Sequence, residues 1–233
     1  RAGTYCTMTD TPLTPSHIVG VGASAGGLDA LQRLLGHAPA QTTLAFVVVQ
    51  HLAPSPPSRL AELLARHTPL AVQDAEHGQR VGAGQVYVAP AGCEVSLHAG
   101  RLQVSTLGPG HAPARTVDHL FESLAADQGA SAVGVVLSGM GSDGSQGLFA
   151  LSARCALCLV QQPDTADFDS MPLAALRAVP GARMAPPEQL VGHILSELQA
   201  GPGRQRPGPN AAPAAEGPTP ADPSLEDPLA AVL

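Results

Sequence analysis

The sequence predicts an α/β fold of three layers, with helices on both faces of a mostly parallel, doubly wound, Rossmann-like sheet. Two observations predict it. Between residues 17 and 199, apolar strand patterns alternate with segments of helical periodicity. The strands at 46–49 and 133–137 are apolar throughout, which is typical of strands that are covered on both faces. With 44% hydrophobic but only 3% aromatic residues, the 233-residue chain can fill one largely aliphatic α/β core.

The individual elements follow from the same patterns in chain order. Strands are predicted at 17–22, 44–50, 85–89, 132–138 and 156–161, with a short one at 182–185. Helices are predicted at 26–36, 58–67, 116–128, 144–153, 171–178 and 187–199. Residues 94–98 and 102–106 alternate in polarity around the turn 99–101, which predicts an antiparallel hairpin at the edge of the sheet.

The two ends of the chain lack these patterns. Residues 1–16 are predicted to be a flexible lead-in to one folded domain at 17–199. Residues 200–233 are rich in Pro, Ala and Gly, with eight prolines from residue 201 onward. Such a segment buries too little surface to offset its ordering entropy, so a disordered tail or linker is predicted.

Charge and composition exclude several classes of protein. A formal net charge of −7 gives no general reason to expect nucleic acid or an anionic membrane as a partner. No apolar run approaches the roughly 20 residues of a membrane span, and the first residues lack the layout of a secretory signal. Four cysteines without such a signal fit a reducing compartment, so a cytoplasmic location is expected.

The richest local pattern surrounds Ser24. Residues 22–26 read Gly-Ala-Ser-Ala-Gly, which matches the Gly-x-Ser-x-Gly pattern of a nucleophile elbow between a strand and a helix. A serine on such a sharp turn has an exposed hydroxyl, and the following helix N-terminus favours developing negative charge. The pattern therefore favours acyl-transfer chemistry by a serine hydrolase.

Two further polar residues follow predicted strands. His51 comes after the strand at 44–50, and Asp143 lies in a glycine-rich loop after the strand at 132–138. Because the carboxyl ends of parallel strands meet at one edge of the sheet, Ser24, His51 and Asp143 are expected to meet there as a Ser-His-Asp triad. The chain order Ser, His, Asp differs from the Ser, Asp, His order of α/β-hydrolases.

Each residue also has a simpler interpretation. Ser24 could be a helix N-cap, His51 could be held by backbone groups, and Asp143 could belong to an ordinary turn. A nucleotide-binding enzyme is a second alternative, because Gly20, Gly22 and Gly26 resemble a dinucleotide fingerprint. The spacing is one residue too long, however, and the next strand ends in Gln-His rather than in the acidic residue that binds ribose.

No metal or cofactor site is predicted. Cys155 and Cys158 have Cys-x-x-Cys spacing, but a zinc site needs a second pair of ligands, and the surrounding sequence is typical of a buried strand. Packing is therefore the favoured interpretation of this pair. The histidines other than His51 show no ligand-like spacing.

Several motifs together resemble the catalytic domain of chemotaxis protein-glutamate methylesterases. They are Gly-Ala-Ser-Ala-Gly-Gly at 22–27, Gln-His at 50–51, Gly-Met-Gly-Ser-Asp-Gly at 139–144 and Met-Pro at 171–172. Shorter segments at 87–90, 117–121 and 132–138 also resemble this family, and the similarity covers residues 17–199. The segment 164–172 is most similar to the branch of the family that lacks a receiver domain.

The resemblance implies hydrolysis of glutamate γ-methyl esters on the cytoplasmic helices of chemoreceptors, with release of methanol, and deamidation of receptor glutamines. It implies Ser24 as nucleophile, His51 as general base and acid, Asp143 as orienting carboxylate and the backbone N–H of Met140 as an oxyanion donor. No cofactor is implied. Methyltransferase or sensor modules, fused or encoded nearby, are the expected partners in that branch.

Some positions depart from the family pattern. Only 23 residues precede Ser24, too few for an attached receiver domain. Ala25 stands where many members have threonine, and Arg115-Thr116 replaces an Arg-Pro pair. A catalytically silent module that keeps the fold and binds receptors is therefore the third hypothesis, against which the intact triad argues.

Overall fold

The computed structural model describes residues 13–51, 59–108 and 115–200. The strands are β1 (His17–Ala23), β2 (Leu44–Gln50), β3 (Ala71–Asp74), β4 (Gln85–Val88), β5 (Cys93–His98), β6 (Arg101–Thr106), β7 (Ala132–Val136), β8 (Leu157–Gln161) and β9 (Arg183–Ala185). The helices are α1 (Gly27–Gly36), α2 (Leu60–Ala65), α3 (Thr116–Gln128), α4 (Ser145–Ala153), α5 (Ser170–Ala178) and α6 (Pro187–Gln199). Most of the predicted lead-in, nearly all of the predicted tail and part of the predicted helix at 58–67 lie outside the described residues.

Seven strands form one sheet in the order β3-β4-β2-β1-β7-β8-β9, and every neighbouring pair in it is parallel. The predicted α/β class and its doubly wound parallel sheet are thus confirmed. Strand β1 is central in this sheet. The strands β2 to β4 that follow it lie on one side, and the strands β7 to β9 lie on the other. The strand order therefore reverses between β1 and β7, which is where α/β sheets of this kind bind their ligands.

The hydrophobic side chains divide into two cores, one on each face of the sheet. Buried residues of α1, α2 and α6 pack on one face, and buried residues of α3, α4 and α5 pack on the other. Strands β1, β2, β7 and β8 are buried along nearly their whole length, because helices cover both of their faces. No described helix combines the length and the apolar composition needed to cross a membrane.

The predicted hairpin is present as β5 and β6, which pair antiparallel. It forms a separate two-stranded sheet rather than an added strand of the main sheet. Val95, Leu97 and Leu102 are buried in the core that contains α3. A hydroxyl joins the hairpin to that helix: Ser123 Oγ accepts a hydrogen bond from the Leu97 amide at 3.0 Å and donates one to the Leu120 carbonyl at 2.7 Å.

Strand β3 was not predicted from the sequence. Its four residues, Ala-Val-Gln-Asp, are too few and too polar to show a strand pattern, and none of them is buried. The strand lies at the edge of the sheet and pairs only with β4. Its pairing is therefore set by the neighbouring strand and not by local periodicity.

Two glycines of β1 bring α3 close to the sheet. A Cβ at Gly20 would lie 2.5 Å from Leu124 Cδ1, and a Cβ at Gly22 would lie 2.2 Å from Val117 Cγ1. Both distances are shorter than any van der Waals contact, so a side chain at either position would push the helix away. These glycines of the apparent dinucleotide fingerprint therefore contact helix side chains.

We expect Gly22→Ala to lower the free energy of unfolding by about 1–3 kcal/mol, because the added methyl overpacks the contact with Val117. The matched control is Gly192→Ala in α6, where a Cβ would meet nothing within 4 Å. That variant should be as stable as wild type or up to about 1 kcal/mol more stable, because alanine is the better helix former. Urea denaturation curves measure both, and equal stabilities for the two variants would contradict the packing argument.

Candidate active site

Ser24 and His51 are neighbours across the pairing of β1 with β2. The last paired residues of the two strands are Ala23 and Gln50, and the His51 amide donates a hydrogen bond to the Ala23 carbonyl at 3.0 Å. Side chains alternate along a strand, and Ala23 belongs to the core of α1. Ser24 and His51 therefore both follow the alternation onto the opposite face of the sheet, where α3 packs.

His51 is bound to Asp143 by a side-chain hydrogen bond. The distance from His51 Nε2 to Asp143 Oδ2 is 2.8 Å, and the two side chains are 18% and 4% exposed. A carboxylate can only accept, so Nε2 carries the hydrogen and Nδ1 keeps the lone pair. The ring is thus held in the tautomer whose second nitrogen can take a proton.

The Asp143 carboxylate accepts three further hydrogen bonds, all from backbone amides. Oδ2 accepts from Val117 at 2.9 Å, and Oδ1 accepts from Asp118 at 2.9 Å and from Gly144 at 2.8 Å. Val117 and Asp118 are the second and third residues of α3, so their amides have no partner inside the helix. The carboxylate caps this helix from another segment of the chain, and the helix dipole favours its negative charge.

A second buried carboxylate makes the converse contact. Asp118 Oδ1 accepts a hydrogen bond at 2.7 Å from the amide of Gly147, the third residue of α4. Asp143 precedes α4 and caps α3, while Asp118 belongs to α3 and caps α4. A Cβ at Gly147 would lie 2.5 Å from Phe121 Cβ, so the small residue permits this close approach of the two helices.

Burial raises the pKa of Asp118 above the ordinary aspartate value of 3.8. The hydrogen bond from Gly147 and the guanidinium of Arg115 oppose this rise in the pKa, and the neighbouring Asp143 charge adds to it. Arg115 Nε lies 3.5 Å from Asp118 Oδ2. Asp118 is therefore a carboxyl whose charged form is less favourable in the folded protein than in the unfolded chain.

The loop after β7 lies against Ser24. The Ser24 amide donates a hydrogen bond to the Ser138 carbonyl at 3.0 Å, and a Cβ at Gly139 would lie 2.9 Å from Ser24 Cβ. The next residue, Met140, has a side chain that is 61% exposed. Within the described parts of the chain, the Met140 amide donates no hydrogen bond to another protein group. Its N–H is thus available beside the serine.

The structure brings the site residues predicted from the sequence to one edge of the sheet, but only two of them are joined by a side-chain hydrogen bond. His51 and Asp143 are joined by a hydrogen bond, and Ser24 and the Met140 loop lie beside them at the carboxyl ends of β1, β2 and β7. Over residues 13–51, 59–108 and 115–200, no hydrogen bond joins the Ser24 hydroxyl to His51. Their catalytic roles remain predictions from the motifs and from this placement.

The chain matches the family model of the CheB methylesterase over residues 19–194.

The chain belongs to the CheB methylesterase family. It is 32% identical over 193 residues to a protein-glutamate methylesterase/protein-glutamine glutaminase of Desulfitobacterium hafniense, covering 81% of this chain and 49% of the relative. It is 39% identical over 173 residues to another protein of that name from Anaeromyxobacter dehalogenans, covering 70% of this chain and 49% of the relative. The chain thus spans about half the length of the curated relatives it matches.

A solved structure has the same fold. The CheB methylesterase catalytic domain of Thermotoga maritima superposes with a TM-score of 0.70 at 24% identity, over 78% of this chain and 98% of that domain. The family recognised from the motifs is therefore confirmed, and so is the CheB fold. The nucleotide-binding alternative is not favoured.

Some contacts around the site of this CheB domain were not identified from the sequence. One of them is made by the Asp118 side chain. Asp118 could be recognised only as an acidic residue in the first turn of a helix, where such residues are common. Its partner lies 29 residues away in α4, and no local pattern predicts that contact.

The cysteine pair separates in the structure. Cys158 is buried in β8 within the core, as the packing interpretation requires, whereas Cys155 precedes the strand and is exposed. In the described part of the chain, no group of three or more His, Cys, Asp or Glu side chains could hold a metal ion.

We expect Asp118→Asn to gain stability relative to wild type as the pH rises. The raised pKa means that folding favours the protonated acid, so the contribution of Asp118 to stability falls as the pH rises from 3.8 through the folded-state pKa. Asparagine does not titrate, so the stability of the variant relative to wild type should increase between about pH 4 and about pH 7. Urea midpoints at both pH values measure it. A difference that is constant with pH would contradict the burial of a titrating carboxyl.

Proposed function

We propose that this domain is a protein-glutamate methylesterase that hydrolyses glutamate γ-methyl esters on chemoreceptor helices. The observation that carries the proposal is the hydrogen bond of His51 to Asp143 beside Ser24, at the edge where the strand order reverses. The family membership and the names of the relatives support the same activity. Because those relatives are about twice as long, the activity is inferred for this domain alone.

The first half of the reaction forms an acyl-enzyme. Ser24 Oγ attacks the γ-carbonyl carbon of the ester, and His51 Nδ1 takes the hydroxyl proton. Asp143 holds the ring and stabilises the imidazolium, because its carboxylate is already fixed by three backbone amides. As the tetrahedral intermediate collapses, the imidazolium gives its proton to the departing methoxide, and methanol leaves.

The second half restores the enzyme. Water gives a proton to His51 and attacks the acyl carbon that is bound to Ser24. The intermediate expels the serine oxygen, which recovers its proton from the imidazolium. The receptor side chain leaves as a carboxylic acid, which loses its proton to solvent to become a carboxylate, and the net reaction consumes one water for each methanol released. The same steps on a glutamine side chain would release ammonia, which is the deamidase activity proposed for this site.

Two backbone amides are proposed to bind the developing oxyanion. The first is Met140, whose N–H is available beside Ser24. The second is Ala25, the residue after the nucleophile, which is the usual position of such a donor in a nucleophile elbow. The Ser24 carbonyl accepts from the Gly27 amide at 2.9 Å, so the peptide N–H of Ala25 points away from that bond. Donors fixed before the reaction need no reorganisation in the transition state.

The surroundings of Ser24 suit a substrate on the surface of another protein. Met140 and Phe168 are 61% and 43% exposed and lie in loops that contact the Ser24 turn. A receptor helix that carries the methylated glutamate could thus approach over an open rim. The enzyme would then act on the cytoplasmic helices of receptors, with fused or neighbouring methyltransferase and sensor modules as its partners.

We expect Ser24→Ala to abolish methanol release from methylated receptor, because the acyl-enzyme cannot form. The variant should still fold and bind receptor, since the Ser24 contacts with Ser138 and Gly27 use only its backbone. Methanol release and receptor pull-down are measured on wild type and variant. Undiminished release from the variant would refute the serine mechanism. A wild-type protein that binds receptor but releases no methanol would favour the silent receptor-binding module.

We expect Met140→Pro to lower kcat by about 10²–10³-fold, because proline lacks the proposed oxyanion N–H. Met140→Ala is the matched control: it removes the same side chain, keeps the N–H and should retain most of the rate. Steady-state kinetics with a methylated receptor fragment compare the two. Equal losses in both variants would assign the effect to the side chain and not to the amide.

A further inference from the structure

Ser138 lies two residues after β7 and takes no part in the proposed reaction. Its side chain is buried, with 1% exposure, at the place where three segments meet. These segments are the turn at 24–27, the loop at 138–141 and the stretch at 165–170 before α5. The Ser138 amide donates to Gln161 Oε1 at 2.8 Å, which fixes the backbone of Ser138 to the end of β8.

The Ser138 hydroxyl joins the other two segments to each other. It donates a hydrogen bond to the Ala25 carbonyl at 2.9 Å and accepts one from the Phe168 amide at 3.1 Å. A serine hydroxyl has one hydrogen, so this arrangement uses its donor and an acceptor lone pair at once. The Phe168 carbonyl returns to the same loop by accepting from the Gly139 amide at 2.9 Å.

The backbone around the nucleophile is thereby fixed on both sides. The Ser24 amide donates to the Ser138 carbonyl, and the Ser24 carbonyl accepts from Gly27. The next carbonyl, that of Ala25, is held by the Ser138 hydroxyl. The turn is completed by Gly26 with a φ of 70°, a left-handed conformation that local propensity alone holds poorly. Within the described residues, Ala25 is left with its N–H unbonded beside the serine.

We propose that the Ser138 hydroxyl is a positioning group for the nucleophile, because it holds the Ala25 carbonyl and thereby fixes the turn that directs Ser24 Oγ and the Ala25 N–H toward the same substrate carbonyl group. The proposal rests on the proposed esterase function. Ser138 acts through Ala25 and Phe168 and touches no substrate. Its loss would loosen the turn without removing any reacting group.

The structure offers a matched control in Ser123. Its hydroxyl also donates to a carbonyl and accepts from an amide, with Leu120 and Leu97 as partners. Ser123 joins the hairpin to α3 and belongs to no part of the site. Ser138 Oγ has one further contact, at 3.4 Å from the Phe168 carbonyl. Replacing either serine by alanine removes one hydrogen bond to a carbonyl and one from an amide, so a purely structural role predicts similar effects of both variants on activity per folded molecule.

The test compares Ser138→Ala, Ser138→Thr and Ser123→Ala by two measurements. One is the rate at which a fluorophosphonate labels Ser24, and the other is kcat and KM for methylated receptor. We expect Ser138→Ala to lower both the labelling rate and kcat by about tenfold, since small misplacements of a reacting group are costly. KM should stay within about twofold, because the hydroxyl contacts no substrate. Ser123→Ala and Ser138→Thr, which keeps the hydroxyl, should stay within about threefold of wild type on both.

Three results would overturn the proposal. They are unchanged labelling in folded Ser138→Ala, an equal loss in Ser123→Ala, and a tenfold loss in folded Ser138→Thr. If Ser138→Ala does not fold, Ser138→Cys takes its place, because a thiol is a weaker donor and acceptor than a hydroxyl, and unchanged labelling in that folded variant would equally overturn the proposal. A wild-type protein that reacts with fluorophosphonate but releases no methanol would contradict the proposed esterase function. The labelling rates alone would then decide the role of Ser138.

Discussion

The carboxylate of Asp143 lies on the open N-terminus of α3, and the remainder of the site depends on this contact. The amides of Val117 and Asp118 would lack partners without it, and Asp143 would lack the donors that offset its burial. Since the same carboxylate holds His51 Nε2, the position of a helix sets the position of an imidazole. The sheet supplies the other constraint, because β1 and β2 end beside each other.

The closeness of α3 to β1 makes this arrangement possible. Gly20 and Gly22 leave space for Leu124 and Val117, so the helix N-terminus reaches the carboxyl edge of the sheet. In a nucleotide-binding protein, glycines at this turn permit approach of a phosphate. Here they permit approach of a helix that holds a carboxylate. One sequence pattern thus has two uses, and the residues packed on it distinguish them.

Sequence reasoning succeeded where the signal was local. The strand before Ser24, the helix after it and the strand before His51 each have a clear apolar pattern, and parallel strands bring their carboxyl ends together. It failed for β3, whose four polar residues are ordered by pairing with β4. It also gave no role to Asp118 and Ser138, whose partners Gly147 and Ala25 lie 29 and 113 residues away. Such contacts depend on how helices pack, which periodicity does not describe.

The exchange of caps between α3 and α4 makes the His51–Asp143 pair depend on how these two helices pack together. The N-terminus of α3 is completed by Asp143, which lies just before α4, and the N-terminus of α4 is completed by Asp118 of α3. Separation of α3 from α4 would remove two of the three backbone donors that fix the Asp143 carboxylate. The geometry of the His51–Asp143 pair is therefore tied to the packing of α3 against α4, and not to the sheet alone.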